Sequence, residues 1–202
     1  HKQPIPGLDY FPVFTPDDLL NPSFNIDDMP VGNIALFDDD HYYMGGILAE
    51  HLAKAGRKVY LITPASEVST WTQNTLEQGR IQTRLLELDV HILQQRRLER
   101  AVSTSIETAC VYTGRVETLD CQSIVMVTER APERELYDEL TARQEAGGLQ
   151  KIKSIQLIGD ALAPGTIAAA VYGGHRCARE FGEEIDIDKA PFKREIPWFS
   201  ED

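Results

Sequence analysis

Apolar and polar residues alternate with different spacings along the chain, and each change of spacing predicts a new element. Residues 33–38 form a short apolar run typical of a buried strand, and apolar residues then recur at helical spacing between Ile47 and Ala55, until Gly56 ends the helix. A second apolar run at 58–63 completes a strand–helix–strand unit. Because such a unit joins two strands that run in the same direction, the pattern predicts a parallel sheet with right-handed connections.

The same order continues with a second helix and a third strand. Apolar residues from Ile81 to Leu88 fall on one face of a helix that ends near Asp89, and Asn74 and Glu77 are suited to cap its start. A third short strand is expected at 90–94. Strands and helices in this order are typical of a doubly wound sheet.

The spacing changes again after residue 100. Residues 103–112 and 116–128 flank the turn residues 113–115, which predicts an antiparallel hairpin or meander, and the apolar segment 123–128 is expected to return to the parallel sheet. The predicted fold class is therefore α/β, a three-layer Rossmann-like dinucleotide-binding fold whose parallel sheet carries an added antiparallel β-meander.

Prolines mark the beginning of the chain, and a second helical region follows the meander. Six of the 11 prolines fall in residues 1–30, which we expect to be an extended lead-in with one short helix after Thr15. Further along, a charged helix is expected at 133–144, a strand at 152–160 and a helix at 166–181, before a proline-containing tail. The predicted organisation is a lead-in at 1–30, a Rossmann domain at 31–130 and the C-terminal part of an FAD/ADP-binding-like domain at 131–202.

Composition and charge exclude several partners. With 32 acidic and 20 basic residues the net charge is -12, which repels phosphate backbones, so nucleic acid is not an expected partner. No apolar run approaches the roughly 20 residues of a membrane helix, and the N-terminus resembles no secretion signal, so we expect no membrane contact and a cytoplasmic location. Cys110, Cys121 and Cys177 lack the spacing of a metal or redox site and are expected to be reduced, small apolar residues.

The turn after the first predicted strand, FDDDHYYMGG, decides whether the Rossmann domain can bind a nicotinamide dinucleotide. A working site has glycines there because the backbone must approach a diphosphate. Here Asp38, Asp39 and Asp40 occupy the turn, and glycines come only at 45–46. Two like charges about 4 Å apart repel by about 1 kcal/mol in water and by about 4 kcal/mol in a partly buried site. Three carboxylates should therefore oppose a diphosphate.

The second strand also lacks the usual ligand residue. It ends in Thr63-Pro64, with no acidic residue for a ribose and no arginine for a 2′-phosphate. We therefore hypothesise that residues 31–130 keep the nucleotide-binding fold but bind NAD(P)H poorly. Metal binding by the aspartates is an alternative, but the run lacks the spacing of a calcium loop and is better read as a solvated acidic turn.

A second candidate site follows the strand predicted at 152–160. This strand ends at Gly159-Asp160, and a short loop leads to a helix whose first backbone N–H groups can bind a pyrophosphate or a ribityl chain. Gly159 would let a ligand approach and Asp160 would accept a sugar hydroxyl, although Asp160 could instead only cap the loop. The candidate cofactor-binding residues are Gly159, Asp160, Ala161, Gly165, Thr166 and Ile167.

Three stretches carry a family resemblance: IALFDDDHYYMGG, VYLITPASEVSTWTQNTLEQGRIQTRLLEL and IGDALAPGTIAAAVYGGHRCARE. They resemble the C-terminal part of the trimethylamine dehydrogenase and 2,4-dienoyl-CoA reductase group of NADH:flavin oxidoreductases related to old yellow enzyme. The resemblance covers nearly the whole chain and is closest to the amine dehydrogenases. It implies that Asp160 contacts the ribityl–diphosphate region of FAD, or the equivalent part of ADP.

The resemblance also implies what surrounds this chain. Full-length members begin with a TIM barrel that carries FMN and, in several, a four-cysteine iron–sulfur cluster, and neither part is present in these 202 residues. We therefore expect a C-terminal fragment without catalytic or metal-ligating residues, whose partners are its own N-terminal barrel domain and an electron-transfer flavoprotein. A pure docking module and a functional NAD(P)H-binding domain remain as alternatives.

Overall fold

A computed structural model describes residues 5–182 of the chain. The first four residues of the predicted lead-in and the predicted proline-containing tail lie outside the described residues. The chain divides into two compact units, unit 1 ending at Glu129 and unit 2 beginning at Arg130.

Unit 1 contains two sheets and three α-helices within its described part. The strands are β1 (Val13–Phe14), β2 (Ile34–Asp38), β3 (Val59–Ile62), β4 (His91–Leu93), β5 (Arg96–Val102), β6 (Ser105–Cys110), β7 (Val116–Asp120) and β8 (Ser123–Val127). The helices are α1 (Pro16–Leu19), α2 (Tyr43–Lys54) and α3 (Gln78–Glu87). One sheet has the order β1-β8-β2-β3-β4 and is parallel throughout, and the other is antiparallel with the order β5-β6-β7.

The parallel sheet is the middle of three layers because its central strand is apolar on both faces. Ile34 and Leu36 of β2 belong to the core cluster formed with α2 and α3. Ala35 and Phe37, which point the opposite way, belong to the cluster formed with the antiparallel sheet. The predicted three-layer α/β fold class is therefore confirmed.

The antiparallel sheet has one strand that the sequence did not predict. β5 reads RRLERAV, and its charges suggest a loop. In the structure, Leu98 and Ala101 of β5 are buried, while Arg100 pairs with Glu107 of β6 through two short contacts of 2.7 and 2.8 Å. Cross-strand charge pairs of this kind stabilise a sheet, so the charged residues belong to a strand with one solvent-facing side.

The lead-in belongs to unit 1. β1 pairs in parallel with β8, and Thr15 begins α1 with a reciprocal capping box that involves Asp18, as the short helix predicted there requires. Further along, the part-buried guanidinium of Arg57 donates hydrogen bonds to the carbonyl oxygens of Ile26, at 3.1 Å, and Pro30. Arg57 thus fixes the end of the lead-in next to the loop that follows α2.

Replacing Arg57 with methionine should destabilise unit 1 by about 1.5 to 3 kcal/mol, because two carbonyl groups lose a charged donor. Hydrogen exchange at residues 24–31 should become faster. Lys54→Met is the control, since among residues 5–182 the Lys54 ammonium pairs only with Glu50, at the surface, and its loss should lower the free energy of unfolding by less than about 0.5 kcal/mol. Equal losses of stability in the two variants, measured by urea unfolding, would contradict this role.

The start of α3 differs from the prediction. Asn74 lies inside a 3-10 helix, Thr70–Thr75, and does not cap α3. Leu76 then takes a left-handed backbone conformation, with φ of 61°, which separates the two helices. Glu77 is the N-cap residue of α3, and its side chain makes no capping hydrogen bond. The predicted capping pair of Asn74 and Glu77 is therefore wrong.

Unit 2 contains α4 (Glu135–Glu145), a 3-10 helix at Gly159–Ala161 and α5 (Ile167–Glu180). The strand predicted at 152–160 is not formed, since no neighbouring strand within the described part of unit 2 offers hydrogen bonds to it. No residue between 130 and 182 is fully buried. Within the described range, unit 2 therefore lacks a hydrophobic core of its own. No helix among residues 5–182 has the length and apolar character needed to cross a bilayer.

Candidate functional site

The position where a Rossmann-like fold binds its ligand is easily located in unit 1. From β2 the chain continues to β3 and β4 on one side, while β8 lies on the other side of β2. Ligands of such folds bind beyond the carboxyl ends of the strands where the order reverses, which here is between β2 and β8. The turn at 39–42 lies at this place, and the N–H of Asp39 donates to the carbonyl oxygen of Val127 at 2.8 Å.

Asp38 points into the protein instead of toward solvent. Its residue is 0% exposed, and its Oδ1 atom accepts hydrogen bonds from the backbone N–H groups of Asp40 and His41, each at 3.2 Å. Asp39 and Asp40 are exposed. The prediction of a solvated acidic turn is therefore wrong for Asp38. The two-residue period of a strand could have predicted the burial of Asp38, because Asp38 follows Ile34 and Leu36 on the strand face that α2 covers.

Two glycines of α2 allow the helix to approach its neighbours. A Cβ atom on Gly45 would lie 2.4 Å from Cγ and 2.5 Å from Oδ2 of Asp38. A Cβ atom on Gly46 would lie 2.7 Å from a methyl group of Ile81 and 3.1 Å from Oγ of Ser69. Both glycines therefore serve close packing inside unit 1. The sequence suggested only that they remained from a phosphate turn.

Burial changes the proton affinity of the turn. Desolvation raises the pKa of Asp38 from 3.8 to about 6, although the His41 N–H and the His41 side chain favour the charged form. Burial also raises the pKa of Asp39, and the nearby carboxylate of Glu129 adds to this. Three buried polar atoms form no hydrogen bond within the described residues of this region, namely Asp38 Oδ2, His41 Nδ1 and Ser69 Oγ. At neutral pH most Asp38 side chains are ionised.

Acid should stabilise unit 1 through Asp38. Between the unfolded pKa of 3.8 and the folded pKa of about 6, the folded state binds more protons, so this contribution is complete below the lower value and is lost as the pH rises through the upper one. The free energy of unfolding of the wild type, minus that of Asp38→Asn, should be larger at about pH 4.5 than at about pH 7.5 by roughly 2 kcal/mol. Urea unfolding followed by Trp71 fluorescence, in a Trp198→Phe background, measures it. An equal difference at both pH values would contradict the raised pKa.

The position usually taken by a ribose-binding acid is occupied by Thr63. This residue is 0% exposed, and its hydroxyl accepts a hydrogen bond from the Ala65 N–H at 3.2 Å. The Thr63 N–H donates to the carbonyl oxygen of Leu93 at 3.0 Å, which continues the ladder between β3 and β4. Thr63 therefore stabilises the loop after β3, and its hydroxyl has a partner inside the protein.

The second candidate site lies in unit 2, and the structure brings its predicted residues together. Oδ1 of Asp160 accepts a hydrogen bond from the Gly165 N–H at 3.3 Å, which closes the loop between the 3-10 helix and α5. Thr166 is the N-cap of α5, and its hydroxyl accepts from the Ala169 N–H at 3.3 Å. Asp160 thus caps the loop, as its alternative interpretation required, and this contact leaves the other carboxylate oxygen for a further partner.

The first turn of α5 faces outward. By helix geometry the N–H groups of Ile167 and Ala168 have no acceptor within the helix, and Ile167 is exposed. Gly159 has a left-handed backbone with φ of 58°, and a Cβ atom on Gly173 would lie only 3.7 Å from its nitrogen. The glycines therefore bring the loop close to α5. The resulting arrangement of free N–H groups and a carboxylate fits a diphosphate linked to a sugar.

The three cysteines are free. Burial raises the pKa of the Cys121 thiol to about 12, which agrees with its prediction as a small apolar residue. In contrast, hydrogen bonds from the Thr113 hydroxyl and nearby backbone N–H groups lower the pKa of Cys110 to about 7. None of the other described residues forms a candidate functional site together with Cys110.

A three-layer Rossmann-like unit, and a glycine-aspartate loop that leads into a helix, are features of a dinucleotide-binding fold. The chain belongs to the family described as the OYE-like second alpha/beta domain, whose family model matches residues 14–125. This match, together with the relatives described next, confirms the resemblance inferred from the three sequence stretches.

Three relatives illustrate this membership. Histamine dehydrogenase from Rhizobium sp. 4-9 is 43% identical, with a TM-score of 0.86 over 98% of this chain and 30% of that protein. The 6-hydroxypseudooxynicotine amine oxidase from Pseudomonas geniculata N1 is 34% identical, with a TM-score of 0.77 over 90% of this chain and 26% of that protein. Dimethylamine dehydrogenase of Hyphomicrobium sp. (strain x) is 29% identical over 96% of this chain and 28% of its own length. The chain thus spans less than one third of each relative.

Proposed function

We propose that this chain is the dinucleotide-fold region of a flavin-dependent amine oxidoreductase and contributes no catalytic residue itself. The substrate is an amine, oxidised at FMN in an N-terminal barrel domain of the same protein that also carries an iron–sulfur cluster. Electrons then pass to an electron-transfer flavoprotein. The observation that carries the proposal is the 43% identity to histamine dehydrogenase over 98% of the chain. A cytoplasmic location accompanies the proposal and is supported by the three free cysteines.

Unit 2 holds an adenine-containing cofactor, FAD or ADP, in this proposal. The N–H groups of Ile167 and Ala168 donate to the diphosphate, and Asp160 accepts a hydroxyl of the attached sugar or ribityl chain. Thr166 and Gly165 keep the loop and helix in position through their hydrogen bonds. A bound FAD would supply a second redox group, whereas ADP would have only a structural role. The proposed cofactor contacts are Gly159, Asp160, Ala161, Gly165, Thr166 and Ile167.

The exposed apolar surface of unit 2 supports a covering by another part of the protein. Leu136, Leu162, Val171 and Phe181 are all more than half exposed. An apolar groove also runs beside Asp160, with Tyr137 and Leu157 among its lining residues. Residues 130–182 contain no fully buried residue, so this part of the chain gains too little from the hydrophobic effect to fold alone. We therefore infer that other parts of the same protein cover this apolar surface.

Unit 1 acts as a scaffold in this proposal and takes no NAD(P)H. The N–H groups of Asp40 and His41 already bind Asp38, and Asp39 and Asp40 add exposed negative charge. Thr63 offers no acid to a ribose and has an internal partner. A functional NAD(P)H-binding domain is therefore disfavoured as the alternative.

A docking role for unit 1 is a second candidate, which one observation favours. Residues 3–53 contain nine acidic residues and no lysine or arginine, so most of the net charge of -12 comes from this stretch. Eight of the nine, all except Asp38, are at least partly exposed. Exposed acidic residues attract a partner protein with a basic face, and the association rate then falls steeply with salt. A rate of electron transfer to the partner flavoprotein that is independent of ionic strength would count against this role.

Anaerobic mixing of the full-length protein with candidate reductants tests the proposed function. Dimethylamine or histamine should bleach the flavin absorbance within seconds, while NADH at the same concentration should leave it oxidised. Extraction of the cofactors should release FMN together with FAD or ADP. Flavin reduction by NADH, with no reduction by any amine, would overturn the proposal.

A further inference from the structure

Asp38 lies where an anionic ligand would bind in a dinucleotide fold. In such a fold the backbone N–H groups between the first strand and its helix bind the diphosphate. In unit 1 the N–H groups of Asp40 and His41, in the same turn, both donate to Oδ1 of Asp38 at 3.2 Å. We propose that the Asp38 carboxylate takes the place of a phosphate group and masks a latent pyrophosphate site at the start of α2.

The surroundings of the second carboxylate oxygen support this assignment. Oδ2 of Asp38 has no hydrogen-bond partner within the described residues, and Asp38 is 0% exposed. It lies against Gly45, the third residue of the 12-residue helix α2, whose cap residue Tyr42 makes no side-chain capping bond. A buried oxygen without a partner is costly, and the positive end of the helix offsets that cost for an anion. The place is therefore suited to a negative group.

The other acidic groups of the turn have a weaker influence on a ligand. The side chain of Asp39 is 48% exposed, and its Oδ1 atom lies 3.4 Å from Nε2 of His41. Exposed charges are screened by salt, whereas a carboxylate already bound to the turn's N–H groups blocks them directly. Removal of the Asp38 carboxylate should thus raise the affinity for pyrophosphate more than removal of the Asp39 carboxylate, although each change removes one negative charge. This difference separates direct masking from general repulsion.

The inference rests on the proposed function, in which unit 1 takes no NAD(P)H, and its test uses inorganic pyrophosphate alone. The full-length protein is titrated with pyrophosphate at constant ionic strength by calorimetry, as wild type, Asp38→Ala and the matched control Asp39→Ala. We expect Asp38→Ala to bind at least about tenfold more tightly than the other two proteins. No gain in Asp38→Ala, or an equal gain in both variants, would overturn the inference.

The two failures are distinguishable. Wild-type protein that binds NADH tightly would contradict the proposed function, whatever Asp38→Ala does. If the wild type does not bind NADH and Asp38→Ala shows no gain in pyrophosphate affinity, only the masking role of Asp38 is contradicted.

A second measurement begins with the wild-type protein, whose fold is unchanged. In nitrogen-15 spectra of the wild type, the amide signals of Asp40 and His41 should shift together with one midpoint as Asp38 is protonated. The other ionisable side chains near the turn are Asp39, Asp40, His41 and Glu129, which lies two residues after β8. Asp38→Asn should abolish the shared midpoint. Its persistence in that variant would contradict the role of Asp38 as the acceptor.

Discussion

Replacing Gly45 with alanine is expected to lower the free energy of unfolding of unit 1 by about 3 kcal/mol. The added methyl group would lie 2.4 Å from Cγ and 2.8 Å from Cβ of Asp38. These atoms cannot move away easily, because Asp38 is fully buried and its carboxylate accepts two backbone hydrogen bonds. The substitution should therefore separate α2 from the end of β2, and thermal or urea unfolding measures the loss.

A second glycine of a helix provides the control for this prediction. Nothing lies within 4 Å of a Cβ atom on Gly79 of α3, so Gly79→Ala should be neutral or stabilising by up to about 1 kcal/mol. Removing the clash should also rescue the first variant, so that Gly45→Ala combined with Asp38→Gly loses less than the sum of the two single changes. Additive losses would show that Asp38 is not the cause.

The second large effect concerns the adenine cofactor. In the full-length protein, Asp160→Ala should reduce the affinity for FAD or ADP at least tenfold, about 1.4 kcal/mol, because the loop loses its bond to Gly165 and the sugar loses an acceptor. The quantity to measure is the adenine nucleotide released per protein, together with the dissociation constant of the added nucleotide. Asp138→Ala, a change at an exposed position of α4, should leave both unchanged.

Asp160→Asn separates the two roles of this carboxylate. Its amide oxygen can still accept the Gly165 N–H, so the loop should keep its conformation. An affinity close to that of the wild type would mean that Asp160 acts by positioning the loop, and a loss as large as that of Asp160→Ala would favour direct contact. Full cofactor content in Asp160→Ala would contradict the site assignment altogether.

Periodic apolar spacing predicted the elements whose packing it determines. The runs at 33–38 and 58–63 are buried strands because each alternate residue meets a different layer, and the helical spacing between them gives α2. β5 could not be predicted in this way, since four of its seven residues are charged. Only the pairing of Arg100 with Glu107 across the sheet makes that sequence suitable for a strand. The segment at 152–160 has strand-like residues but needs a neighbouring strand.

The candidate sites show the same division between local and tertiary information. The sequence alone predicted the loop and helix start around Thr166, because a capping residue acts on its own neighbours. It did not distinguish Asp38 from Asp39 and Asp40, although only Asp38 is buried. That difference depends on α2, whose Gly45 leaves room for one inward carboxylate. The chemical consequence of three consecutive aspartates could therefore be derived only from the packing of the helix.

Calorimetric titration of NADH into the full-length protein tests most directly whether unit 1 keeps a nucleotide fold whose binding turn is closed by Asp38. No saturable heat is expected up to about 1 mM NADH, at neutral pH and moderate salt. NADH binding with a dissociation constant below about 0.1 mM, lost when residues 38–41 are substituted, would contradict this view of unit 1.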